Sequence, residues 1–157
     1  EREDKQMAKA IYFDMDGTIT DLYGVDAWLD KLMAEDASPY EQARPLVDLE
    51  KLSARLEDLR KLGYTIGVIS WLSKQATKEY KKQVRQAKRE WLKKIKFQFD
   101  EIHLVAYGTP KHKVAKVKKG YLVDDDVKVI KDWVKSGGGV THAKSDKWVD
   151  ILWGLGE

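Results

Sequence analysis

The sequence has no cysteine among its 157 residues. A disulfide framework, thiolate metal ligation and a cysteine nucleophile are therefore excluded, and the absence accords with a reducing compartment. Charge of one sign is also lacking. Lys and Arg total 29 against 26 for Asp and Glu, and the resulting +3 is too slight to imply nucleic-acid binding by itself. No apolar run is long enough to cross a bilayer. The opening Glu1-Arg2-Glu3-Asp4-Lys5-Gln6 is charged and has no secretory h-region. The expectation is a cytoplasmic protein with no membrane association, residues 1–8 forming a flexible lead-in. There is no internal repeat, no low-complexity segment and no linker that divides the chain, so residues 1–157 are expected to form a single domain around one core. What is present, 43% apolar and 35% charged residues, is the composition of a globular protein.

Short apolar runs alternate with amphipathic stretches along the chain. Ala10-Ile11-Tyr12-Phe13, Tyr64 to Ser70, Glu101 to Val105 and Tyr121-Leu122-Val123 read as strands, the first, second and fourth buried, with Val140-Thr141 as a last edge strand. Helical spacing marks Val25 to Met33, Leu46 to Leu62 with Gly63 as its C-terminal cap, about Ser73 to Ile95, Lys111 to Lys118, Val127 to Val134, and a tail from Asp146 to Leu155. Ser38-Pro39 and Pro45 punctuate an irregular stretch or short helix. Alternation of this kind predicts an α/β fold with a mostly parallel sheet covered on both faces.

Chemistry concentrates where these strands end. The first runs into Asp14 and Asp16, the second into Ser70, and the fourth into Asp124-Asp125-Asp126, with Lys111 just ahead of the fourth. The carboxyl ends of parallel strands are where open α/β sheets bind ligands. Carboxylates gathered at one edge repel, a divalent cation removes that cost, and oxygen-only ligands point to Mg²⁺ rather than zinc. Lys111 adds a positive charge to face a phosphate.

Together these pieces resemble the haloacid dehalogenase superfamily of phosphohydrolases. The family's first motif, DxDG[TV], is matched by Asp14-Met15-Asp16-Gly17-Thr18; its second, a strand-ending Ser or Thr, by Ser70; its third by an upstream lysine; its fourth by Asp124-Asp125. The motifs fall in the family's order over residues 9 to 130 or so, and a narrower likeness is to small members similar to 5′-deoxynucleotidases, including phage-encoded ones. The resemblance implies a Rossmann-like three-layer α/β/α sandwich without a separate cap domain. It also implies Asp14 as nucleophile, Asp16 as general acid and base, and Ser70 and Lys111 as catalytic groups on the phosphate. Gly17, Thr18, Ser70, Trp71 and Lys111 would surround the substrate. Mg²⁺ would be held by Asp14, the Asp16 carbonyl and a fourth-motif carboxylate. The family's usual Gly-Asp makes Asp125 the preferred ligand, with Asp124 its neighbour. Lys111 and Lys113 are both in range for the third motif. Lys111 is preferred because it opens a helix after Gly108-Thr109-Pro110.

Several features have plainer readings. An EF-hand is ruled out because Ile19, Thr20 and Leu22 stand where oxygen ligands are required. His103, His112 and His142 show no metal-ligand spacing. Trp133, Trp148 and Trp153 sit at core spacing, whereas Trp71 follows Ser70 and has two readings, lining the substrate pocket or packing in the core. Asp126 reads as a helix N-cap. The lysines and arginines of the helix spanning 74–96, among them Lys74, Lys78, Arg85, Lys88 and Arg89, are expected to form a solvated face opposite its apolar stripe. Between Ser70 and Lys111 there is no room for a cap, and residues 21–45 allow at most a small lid, so the site should be open. The resulting expectation is an Mg²⁺-dependent phosphomonoesterase acting on a phosphorylated small molecule such as a (deoxy)nucleotide. Asp16 favours this over a dehalogenase. The alternatives are a nucleic-acid end phosphatase using the basic helix and a non-catalytic binding module.

Overall fold

The first strand, β1 (Ala10–Phe13), is buried at every position, as expected of a strand covered on both faces. The structure, a computed structural model, describes residues 7–144 and 147–155; the first six residues of the expected lead-in lie outside these. Five strands form the central sheet in the order β5 (Glu101–Val105), β4 (Thr65–Trp71), β1, β6 (Tyr121–Asp124) and β7 (Gly139–His142), and all four pairings are parallel. The chain leaves β1 toward β4 and β5, then crosses to β6 and β7 on the other side. The loops after the adjacent strands β1 and β6 therefore diverge, opening a crevice at their carboxyl ends where such sheets take ligands.

Alternation along the strands sends side chains to two cores. Ile11, Phe13, Ile66, Val68 and Val123 pack with α3 (Leu49–Lys61), α4 (Lys78–Leu92) and α7 (Trp148–Leu155). Ala10, Tyr12, Ile69 and Leu122 face α6 (Val127–Lys135) through Val129 and Trp133. The result is the three-layer sandwich expected from the sequence. Trp133 and Trp148 are buried, while the side chain of Trp153 lies outside the described residues. Among the described residues, no helix is long and apolar enough to cross a membrane.

Helix ends follow local chemistry. Asp48 caps α3 by accepting from Lys51 N at 3.0 Å. Gly63 follows it at φ +93°, the left-handed position glycine favours. The helix expected from Ser73 begins only at Lys78, because Thr77 caps it by accepting from Tyr80 N at 3.2 Å. Residues 73–75 are thereby released to border the crevice.

The segment after β1 is an excursion with a narrow neck. β2 (Thr20–Asp21) and β3 (Arg44–Pro45) pair antiparallel, and between them lie α1 (Trp28–Met33) and α2 (Ser38–Gln42). The helix expected from Val25 starts at Trp28, since Ala27 adopts φ 54°. None of its residues is buried. Its apolar side borders the crevice, with Trp28 and Leu32 also packing against the edge of the core.

Candidate active site

Asp14 continues the β1–β6 ladder by one bond, its N–H donating to Val123 O at 3.0 Å. The side chain thus stands at the crevice, fixed by a rigid strand. Its Oδ1 accepts from Lys111 Nζ at 2.9 Å and its Oδ2 from Thr18 Oγ1 at 3.1 Å. Beyond Asp14 the chain folds back at once: the N–H groups of Thr18, Ile19 and Thr20 all donate to Met15 O. Met15 is buried, so Asp14 and Asp16 flank it on the crevice side. Gly17 makes the turn possible. Its φ is +84°, and a Cβ there would stand 2.2 Å from Asp125 Oδ2.

Lys111 opens the short helix α5 (Lys111–Val114). Its Nζ bridges Asp14 Oδ1 and Asp124 Oδ2, the latter at 2.8 Å, while Lys113 points to solvent. Of the two lysines open at the sequence level, Lys111 is therefore the one brought to the aspartates. Burial alone would push its ammonium down, but Asp14 and Asp124 hold the pKa above the ordinary lysine value. Asp126 caps α6 as expected, accepting from Lys128 N and Val129 N.

Asp14, Asp124 and Asp125 each present an oxygen such that all lie within 4.8 Å of one another. Burial, reinforced by the charge of Asp14, pushes Asp124 up to about 6 and Asp125 up to about 8. Near neutral pH Asp125 therefore holds a proton that a carboxylate ordinarily loses. A divalent cation in this all-oxygen nest would displace it, so the donor set suits a hard divalent cation.

Sequence reasoning missed a second buried cation. Lys88, expected on the solvated face of α4, is 1% exposed. Its Nζ donates to Asp16 Oδ2 at 2.8 Å, Ser70 Oγ at 2.7 Å and Trp71 O at 2.8 Å, using all three protons. The correction has a simple cause: Lys88 lies four residues after Val84 and three before Trp91, within the apolar stripe. Ser70 is fully buried beneath this lysine and does not border the crevice; Trp71, Leu72, Ser73 and Lys74 do. Thr20 completes the setting of Asp16, donating to Oδ1 at 3.3 Å.

The crevice has a volume of about 590 Å³. Asp14, Asp16, Lys111, Asp124 and Asp125 form its polar floor, and Tyr23, Trp28, Tyr40, Trp71 and Tyr107 are among its aromatic lining. Burial and then the charges of Asp16, Asp125 and Asp14 raise the Tyr23 phenol, keeping it a donor. His103 lies elsewhere, against Glu101.

No family model matches the chain, and no curated protein does. Twelve chains of solved structures match it. One belongs to the structure titled "Structure of the Pnkp1/Rnl/Hen1 RNA repair complex", with a TM-score of 0.58 and 17% identity over 87% of this chain and 42% of that one. The chain thus spans less than half the length of this neighbour. At that identity the likeness shows the fold alone.

Proposed function

We propose that this protein is an Mg²⁺-dependent phosphomonoesterase in which Asp14 is the nucleophile. One observation carries the reading: Asp14 ends a central parallel strand with one oxygen on Lys111 and the other on Thr18, at the edge of an all-carboxylate nest and two residues from a second aspartate held by its own lysine. A structural acidic turn has no need of two buried ammonium groups assigned to different carboxylates. The resemblance to haloacid dehalogenase phosphohydrolases supports the same assignment.

In this mechanism an Asp14 carboxylate oxygen attacks phosphorus and the bond to the leaving oxygen breaks, giving an aspartyl-phosphate. Asp16 supplies the proton that the leaving oxygen takes up. It then removes a proton from the water that attacks the phosphoryl group, freeing inorganic phosphate and regenerating Asp14. Lys111 neutralises charge gathered on the phosphoryl oxygens, and the Thr18 hydroxyl fixes the carboxylate plane. Lys88, standing on Ser70 and the Trp71 carbonyl, is a positioning residue that directs Asp16 to the crevice. Asp14, Asp124 and Asp125 would hold Mg²⁺, which when bound withdraws charge from the phosphoryl group.

The test is hydrolysis of a panel of nucleotides, sugar phosphates and terminally phosphorylated oligonucleotides with Mg²⁺, beside Asp14→Asn. The expected result is phosphate release by the wild type, reduced at least about 10³-fold in Asp14→Asn, as for loss of a nucleophile. Equal rates in both proteins would remove Asp14 from the mechanism. Oligonucleotides belong in the panel because the structural neighbour is part of an RNA repair complex and the crevice is open. A protein that binds phosphate esters without hydrolysing any of them would be the non-catalytic module.

A further inference from the structure

Among the described residues eight large apolar side chains are exposed, and half of them, Tyr23, Leu29, Met33 and Tyr107, border the crevice above Asp14. Exposed apolar surface concentrated at the mouth of a polar-floored cleft marks a ligand site. Here the surface is built of aromatic pairs. Trp71, the last residue of β4, and Tyr107, which follows β5, stand with ring centroids 5.0 Å apart. Tyr23 and Trp28 come from the excursion after β1, their centroids 4.9 Å apart.

The Trp71–Tyr107 pair is fixed in relation to the chemistry. The indole Nε1 donates to Thr109 O at 2.8 Å, so the ring is already ordered before anything binds. Lys111 Nζ lies 5.7 Å from the Trp71 ring centroid and also holds Asp14. Lys74 Nζ lies 5.7 Å from the Tyr107 ring centroid. Followed from contact to contact, Asp14 is linked through a lysine and an indole to a phenol and a second lysine. The crevice is within the range of about 300–1,000 Å³ that takes whole small ligands. An aromatic run two rings long accommodates more than a phenyl ring bonded directly to phosphate oxygen. It suits a planar base separated from its phosphate by a sugar, with the Gln75 amide also bordering the crevice.

Resting on the Asp14 reading above, we infer that the phosphate is delivered on a nucleoside, whose base stacks on the Trp71–Tyr107 wall. The group recognised is a nucleoside monophosphate, either free or at the end of a strand. Base–aromatic stacking contributes about 1–3 kcal/mol per base, which corresponds to roughly 5- to 150-fold in kcat/KM.

The experiment compares kcat/KM for deoxyadenosine 5′-monophosphate, ribose 5-phosphate, phosphotyrosine and a 5′-phosphorylated oligonucleotide, in wild type, Tyr107→Ala and Tyr107→Phe. The nucleotide should exceed ribose 5-phosphate by roughly 5- to 150-fold, as stacking predicts. Tyr107→Ala should lower that ratio and Tyr107→Phe should preserve it. Faster turnover of the oligonucleotide than of the free nucleotide would place the nucleoside at a strand end; the reverse would make it a free nucleotide. A ratio near unity, a ratio unmoved by Tyr107→Ala, or preference for phosphotyrosine overturns the inference. A separate arm titrates deoxyadenosine 5′-monophosphate into Asp14→Asn protein and follows tryptophan fluorescence. Quenching there, absent with ribose 5-phosphate, supports the stacking wall even if no substrate is hydrolysed. No quenching together with hydrolysis of ribose 5-phosphate overturns the inference while leaving the Asp14 reading intact.

Discussion

Replacing Lys88 by methionine tests the arrangement at its least expected point. The substitution keeps the length and apolar stem of the side chain but removes an ammonium that is 1% exposed and serves three acceptors. Breaking a buried ion pair from one side costs about 3–5 kcal/mol, because the surviving charge is left unpaired. Asp16 retains 18% side-chain exposure, so water recovers part of the loss and the lower end, about 3 kcal/mol, applies. For a chain of this length each kcal/mol shifts Tm by about 2–4 °C, so Lys88→Met should melt roughly 6–12 °C below wild type. Calorimetry or circular dichroism reads this directly. An exposed lysine, as the sequence pattern suggested, would give a change within about 0.5 kcal/mol, and a Tm drop under about 2 °C would refute the buried network. Adding Asp16→Asn separates the pair from general packing. The double variant should be more stable than the sum of the single losses implies, by roughly 1–3 kcal/mol. Kinetics supply a further readout. Lys88→Met should lower kcat more than it raises KM, and Lys88→Arg should recover part of kcat, which a purely structural lysine would not show.

Three other outcomes follow from the same geometry. Gly17→Ala places a Cβ against Asp125 Oδ2 at a backbone φ of +84°. It should cost about 1–2 kcal/mol of stability and, by displacing the nest, roughly 10²-fold in kcat, seen by melting and phosphate release; a wild-type rate would contradict the close approach. Mg²⁺ should stabilise the protein, by about 2.7 kcal/mol or roughly 5–11 °C at a hundredfold excess over Kd. Because Asp125 is pushed up to about 8, the metal-free folded protein holds an extra proton between the ordinary carboxylate range and that value. Its own stability therefore falls as pH rises through that window. The Mg²⁺ increment should accordingly be larger at about pH 9 than at about pH 6, and a pH-independent increment in thermal shift would count against these ligands. Finally, Glu101 starts β5, at the sheet end opposite the crevice. Burial would raise its pKa, but bonds from His103, Tyr12 and Lys116 N hold it below the ordinary 4.5. Its stabilisation is present above 4.5 and lost as pH falls through the lowered folded value. Glu101→Gln should remove about 1–2 kcal/mol at neutral pH and flatten the acid side of the stability profile, with kcat unchanged. An unaltered acid limb would refute it.

Much of the sheet was legible because a strand buried on both faces writes its own signature. Ala10–Phe13 and Tyr121–Val123 are short, apolar and broken abruptly by aspartates, and nothing but a strand end places a carboxylate so close to a core. Periodicity was less informative about what covers a face. Trp28, Leu29, Leu32 and Met33 repeat at helical spacing, which says that one side of α1 is apolar. It does not say whether that side meets a core or a crevice, and here all four border the crevice while only Trp28 and Leu32 also pack against the core. Lys88 was misread for a related reason. Its position belongs to the stripe containing Val84 and Trp91, but charge argued for solvent, and the partner that reverses the argument, Asp16, lies 72 residues away. The Tyr12–Glu101 bond, at 2.7 Å across 89 residues, was equally invisible to local pattern.

The two lysines explain how a single turn can supply two carboxylates with different duties. Asp14 and Asp16 are separated by one residue and share a crevice, so identical surroundings would give them identical chemistry. Instead Lys111 comes from the helix before β6 and engages Asp14 together with Asp124, while Lys88 comes from the middle of α4 and engages Asp16 with Ser70. Lys111 ties Asp14, the proposed nucleophile, to the carboxylate nest, where a cation would neutralise charge during the proposed transfer. Lys88 ties Asp16, the proposed acid–base group, to β4, and the Asp16 carboxylate is not among the clustered potential ligands. Environments that separate neighbouring titratable groups are how one site assigns distinct roles to like residues. On this argument exchanging the partners should not be neutral: neutralising Lys111 should impair both metal binding and phosphoryl transfer, whereas neutralising Lys88 should impair proton transfer and leave the Mg²⁺ stabilisation largely in place.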